Sequence, residues 1–153
     1  MRLRSKRAVR RGAALAETAV VLGTFLMLIL GLLDMGVCAL RYNAVSNAAR
    51  QGARQASVHG SLALSSWQGG PWGPAASNAS GNASGVPLVA AVQPYLFTCD
   101  LDQTTVQANW LDGSNEPGKR VRVTVTTVYS PMLTFFLNNS VALTATSTLT
   151  IAH

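Results

Sequence analysis

The chain has 153 residues, a mass of 16.1 kDa and a formal net charge of +6. That is one domain's worth of protein, and once a basic leader and an apolar segment are set aside only about 110 residues remain, too few for a large catalytic core. The charge does not mark a nucleic-acid surface: Arg2, Arg4, Lys6, Arg7, Arg10 and Arg11 supply the whole excess, and from Ala13 onward the basic and acidic residues balance.

Residues 1–12 have no periodic apolar pattern and read as a removable basic leader. Behind them, residues 18–33 are uncharged and cover about 24 Å of helix axis, short of the ~30 Å hydrocarbon core of a bilayer. A span counted from Ala13, crossing over about residues 13–36, has the needed length and places Glu17 inside the membrane one turn from its end. A carboxylate there needs a counter-charge. Arg10 and Arg11 can turn towards it, or, if the chain is cut after Gly12, the new α-amine of Ala13 stands at i,i+4 from it or reaches it from a neighbouring subunit. A snorkelling interfacial Glu of an ordinary anchor is the plainer alternative. Lys and Arg ahead of an apolar segment stay cytoplasmic, so the N-terminus is expected inside and the remainder exported.

The run Arg10-Arg11-Gly12-Ala13-Ala14-Leu15-Ala16-Glu17, followed by an apolar helix, resembles the class III signal of type IV pilin-like proteins. In that family a basic leader ends in Gly, a prepilin peptidase cuts there and Glu stands at the fifth mature position. The resemblance makes Gly12 the residue before the cut, Ala13 the first mature residue and Glu17 the fifth. A glycine lets the backbone enter a protease cleft with no side chain in the way. Type IV pilins proper usually begin with Phe, and Ala13 points instead towards the TadE-like pseudopilins of the tight-adherence system.

Residues 13–58 are expected to form one helix, since no proline interrupts them. Beyond Asp34 the pattern becomes amphipathic: Ala44, Val45, Ala48, Ala49, Gly52, Ala53 and Ala56 share one face, and Asn43, Asn47, Arg50 and Arg54 the other. Small residues at i,i+4 let another backbone approach closely, whether a neighbouring helix or the chain's own sheet. The run from Asn47 to Ser57 also resembles the Ala-Ala-Arg-x-Gly-Ala-Arg-x-Ala-Ser stretch that follows the membrane helix in TadE-like proteins.

Residues 59–87 are dominated by Gly, Ser, Ala, Asn and Pro and are expected to be a mobile loop, with Trp67 and Trp72 either pinning it to the sheet or meeting a partner. Pro87 opens a short helix through Val92, which ends near Pro94. Residues 88–153 form the periplasmic α+β region. Val106, Ala108 and Trp110 alternate with polar residues, Asp112 to Gly118 is a turn cluster, and Val121, Val123 and Val125 alternate again, which predicts a hairpin. Ser130-Pro131 breaks the strand, residues 132–137 connect, residues 138–140 turn, and residues 141–151 form a Thr-rich strand with one buried face. The expected fold is α+β: a long N-terminal transmembrane helix continuing into an amphipathic helix, packed on an antiparallel sheet of three to four strands. The ending, a Val-rich strand, a Pro and a Thr-rich strand, again resembles the TadE-like family.

With His59 and His153 the sole histidines, neither a metal site nor a Ser/His/Asp triad has its parts, so no catalytic residue, cofactor or metal is expected. Asp100 and Asp102 read as a solvated turn. Cys38 and Cys99 are candidates for a disulfide in an oxidising compartment, provided the start of the sheet region reaches back to the helix. The resemblance implies a pseudopilin or minor pilin of the bacterial inner membrane, single-pass, with a prepilin peptidase, the inner-membrane pilus assembly platform and other pilin-like subunits as partners, and no nucleic acid. Two other functions stay open: a secreted binding module whose signal peptide is cut after Ala39, and an envelope protein anchored permanently with its leader retained.

Overall fold

The computed structural model of the chain describes residues 5–65, 69–132 and 140–152. The expectations for Trp67 and for residues 133–139 lie outside the described residues. Two compact units are delimited, Met1–Val37 and Cys38–His153.

The first unit contains the N-terminal part of helix α1 (Ser5–Val58). The helix starts at Ser5, ahead of the expected Ala13; Gly12, with its single intrinsic penalty of about 1 kcal/mol, does not interrupt it. Its apolar side chains are bare: Leu15, Val20, Leu28 and Leu32 are exposed, and only 6% of the most apolar window is buried.

The second unit holds the rest of α1, strand β1 (Ser77–Ser80), helix α2 (Pro87–Val92), a 3-10 turn over Gln93–Tyr95, and strands β2 (Thr104–Trp110), β3 (Arg120–Tyr129) and β4 (Val141–Thr150). All four strands are antiparallel, in the order β1-β2-β3-β4. Period-two alternation decides which face is buried. In β2 the residues Thr104, Val106, Ala108 and Trp110 are buried and the intervening ones exposed; in β3 the buried set is Val121, Val123, Val125, Thr127 and Tyr129. Register pairs these residues directly, Val106 with Val125, Ala108 with Val123 and Trp110 with Val121.

The core joins the inner sheet face to α2 and to the small-residue face of α1. Val45, Ala48, Ala49, Ala53 and Ala56 share one buried cluster with Leu88, Val89, Val92, Val121, Val123 and Val125. Gly52 shows how tight the approach is: a methyl placed there would stand 2.8 Å from Val92 Cγ1 and 3.0 Å from Val123 Cγ1. The end of the chain ties the layers together, because the Ala152 N–H donates to the Ser57 carbonyl at 2.8 Å and satisfies one of the last-turn acceptors that α1 leaves unpaired.

Two features depart from the sequence expectation. Strand β1 lies inside residues 59–87, the stretch expected to be loop throughout. Its Ser-Asn-Ala-Ser sequence has no strand propensity of its own, and it is extended by pairing with β2 from Ser77↔Ala108 to Ser80↔Thr105. In β4 the one-sided burial holds only in the middle: Leu143 and Ala145 are buried, whereas Val141 and Leu149, on the same face, are exposed. The core does not extend under either end of that strand.

Candidate functional site

The candidate site begins at the N-terminal segment of α1. Gly12, Ala13 and Glu17 are all exposed helical residues, and a methyl placed at Gly12 would meet nothing within 4 Å. On a helix, positions 13 and 17 lie one above the other about 5–6 Å apart, which puts whatever group Ala13 carries on its nitrogen on the side of the Glu17 carboxylate. Glu17, Thr18, Val21, Leu22 and Phe25 form one stripe along the helix, so the acid is flanked by hydrocarbon on its own surface.

The polar side chains inside this stretch are arranged for a non-aqueous surrounding. The Thr18 hydroxyl donates to the Ala14 carbonyl at 2.8 Å and the Thr24 hydroxyl to the Val20 carbonyl at 3.0 Å. Each threonine thereby satisfies its donor within its own helix, and the carboxylate of Glu17 is the group left facing outward. A helix that is apolar and unburied over this length is long and apolar enough to cross a membrane, which is consistent with membrane anchoring.

Further along α1, Ala44, Ala48, Gly52 and Ala56 are all buried, and Asn43, Asn47, Arg50 and Arg54 are exposed, which is the two-faced division the sequence pattern sets out. The Arg41 guanidinium lies 5.1 Å from the centre of the Tyr129 ring, a cation–π contact. Cys38 and Cys99 are free thiols, both half-buried. Cys99 packs against the core cluster, with its backbone N–H donating to the Leu96 carbonyl at 2.9 Å.

The loop region is anchored through Trp72, and its partner His59 is the residue that the sequence did not single out. His59 is buried at the end of α1 and stacks on Trp72 with ring centroids 4.3 Å apart and planes 13° from parallel. Its Nδ1 lies 2.8 Å from the Gln55 carbonyl, which requires the hydrogen on Nδ1. The Trp72 backbone N–H donates to the His59 carbonyl at 2.7 Å and the Trp72 carbonyl accepts from Asn115 Nδ2 at 3.1 Å. Gly73 then lies against the Trp110 indole with φ +84, a place and a conformation that only glycine fills without strain. Trp72 therefore fastens the loop to the sheet, one of its two expected roles. A signal for it was present in the sequence as Gly-Pro pairs flanking a lone Trp.

Asp100 and Asp102 cap their own turn: the Asp102 N–H donates to Asp100 Oδ1 at 3.1 Å, and Asn82 Nδ2 donates to Asp102 Oδ1. Among the described residues no three His, Cys, Asp or Glu side chains gather as metal ligands would. Arg120 and Asp112 form a two-pronged pair at 2.8 and 3.2 Å reinforced by the Arg120 backbone N–H at 2.9 Å. Those side-chain and backbone hydrogen bonds from Arg120 hold the Asp112 carboxyl down at a pKa of about 2. The pair closes the β2–β3 turn and is structural.

What the fold and this segment define is a protein with one long apolar N-terminal helix, consistent with membrane anchoring, and a four-stranded antiparallel sheet. Residues 12–54 match the family described as TadE-like protein, a region that opens on Gly12 and closes on Arg54. No match is found among curated proteins or among solved structures.

Proposed function

We propose that this protein is a pseudopilin or minor pilin of a tight-adherence pilus system, held in the bacterial inner membrane by residues 13–36 with its N-terminus cytoplasmic and its α+β unit periplasmic, and passing from there into the pilus. The supporting observation is the TadE-like match over residues 12–54 on a helix whose apolar surface is bare and on which Glu17 is an exposed acid, whereas Asp34, the other acid of the helix, is buried. A prepilin peptidase cuts between Gly12 and Ala13. The amine so released is the counter-charge for a Glu17 carboxylate, either its own or that of an adjacent subunit, and in hydrocarbon a carboxylate has few other partners. Pairing between subunits fixes their axial register as the helices enter a bundle on the inner-membrane assembly platform, together with other pilin-like subunits.

The second half of the helix has a different task. The Ala44, Ala48, Gly52 and Ala56 face covers the chain's own sheet, which leaves the first half free to exchange lipid for neighbouring helices.

The mechanism is tested with Glu17→Ala. Membrane insertion and level should be unchanged, because the span becomes more apolar, while incorporation into pili, read by shearing and immunoblotting, should be lost. Normal incorporation of the variant would remove the mechanism.

A further inference from the structure

The sheet has two unlike edges. On one side it ends in β1, four residues long; on the other it ends in β4, ten residues long, in an unbroken register with β3 from Arg120↔Thr150 to Tyr129↔Val141. An edge strand presents a row of unpaired N–H and C=O groups, and proteins shield such rows with charges, proline, bulges or short strands. Strand β4, Val-Ala-Leu-Thr-Ala-Thr-Ser-Thr-Leu-Thr, has none of these devices. Among the described residues no backbone hydrogen bond from another element reaches its outer side.

The side chains of β4 indicate what covers it. On the core side Val141 and Leu149 are 47% and 39% exposed, although Leu143 and Ala145 between them are buried. On the opposite side the threonines already form cross-strand rungs: Thr146 with Thr124 and Thr144 with Thr126, each at 3.1 Å. The strand is uncharged along its whole length, so a second β4 can approach it without like-charge repulsion.

We propose that β4 pairs antiparallel with β4 of a second copy of this chain about a two-fold axis at Ala145, merging the two four-stranded sheets into one. In that register Ala145 faces its own counterpart, Thr144 faces Thr146, and Val141 faces Leu149. The two exposed apolar residues of each copy cover those of the other, and the threonine rungs continue across the join. A slip by two residues keeps the faces matched but takes Val141 off Leu149, so the register is set by the ends of the strand. The contact is isologous and closes at two chains. It does not rest on the pilin reading, since it uses neither Glu17 nor the N-terminal segment.

The test uses the full chain extracted in mild detergent, with dimer measured by sedimentation and folding by near-ultraviolet circular dichroism. Val141→Lys and Leu149→Glu change exposed positions, so each single variant should fold and lose the dimer, and the double variant should regain it, because each lysine then faces the partner copy's glutamate. A monomeric wild-type chain, a dimer indifferent to both single changes, or a double variant that stays monomeric overturns the proposal. A second measurement needs no loss of dimer: with Cys38 and Cys99 replaced by Ala, a Thr144→Cys chain co-expressed with a Thr146→Cys chain should form a mixed disulfide, since directly opposed residues lie about 4.5–5.5 Å apart at Cα. Failure of that pair to cross-link under oxidation also overturns it.

Discussion

Replacing Gly52 by Ala sets two effects of known sign against each other. On an exposed helix the change would stabilise by about 1 kcal/mol, because Ala is the better helix former. Here the new methyl would stand 2.8 Å from Val92 Cγ1 and 3.0 Å from Val123 Cγ1, inside ordinary van der Waals distance of both. Neither neighbour can readily yield: both valines are fully buried, β-branched side chains are stiff at χ1, and Val123 is held in the sheet by both β2 and β4. Overpacking of this kind costs about 1–3 kcal/mol, and two stiff contacts place it in the upper half of that range, so the net effect is a loss of about 1–2 kcal/mol. For a unit of this size that lowers the melting temperature by roughly 5–10 °C. Thermal unfolding of the full chain in detergent, followed by tryptophan fluorescence, reads it. Val92→Ala makes room for the methyl, so the double variant should be less destabilised than the sum of the two single variants. A Gly52→Ala protein more stable than wild type, or strict additivity with Val92→Ala, would refute the close approach of α1 to the sheet.

Two further outcomes follow from the second unit. The Asp112 carboxyl is held at about 2 against an ordinary 3.8, so its contribution to stability is complete above pH ~4 and is lost as pH falls through about 2. Carboxyl-carbon NMR should report that low value, Arg120→Gln should return it towards 3.8, and an ordinary value in the wild-type chain would contradict the pairing. Thr104 and Thr127 are fully buried; the Thr104 hydroxyl donates to the Asp100 carbonyl at 2.6 Å and is hydrogen-bonded to Thr127 Oγ1 at 2.9 Å. Thr127→Val removes a partner from Thr104 inside the core and should destabilise by about 1–2 kcal/mol in chemical denaturation, whereas an unchanged midpoint would mean the hydroxyl pair is dispensable.

Where a periodic apolar signal runs through the chain, the fold was legible in it. Strands β2 and β3 bury the valines and Trp110 that alternation picked out, α2 starts at Pro87, and the small-residue face of α1 is the buried one. Strand β1 was not legible, because Ser77, Asn78 and Ser80 acquire their extended form from β2 and carry no apolar signal of their own. The start of α1 at Ser5 was missed because leader residues read as polar and aperiodic can still continue a helix already nucleated behind them. The exposure of Val141 and Leu149 was also hidden, since alternation tells which face a residue shares and not how far the core extends beneath it. At the candidate site, Gly12, Ala13 and Glu17 were readable as a motif, while the stacking of His59 on Trp72 depends on a turn of the loop that composition does not encode.

In the proposed mechanism, hydrolysis behind Gly12 creates the positive charge Glu17 requires, and the first residue of the mature protein decides it. N-terminal sequencing of protein extracted from the membrane of its host should begin at Ala13 and continue Ala-Leu-Ala-Glu. A chain that keeps Met1 and its arginines, or one that begins at Leu40 after an ordinary signal-peptide cut, would contradict it.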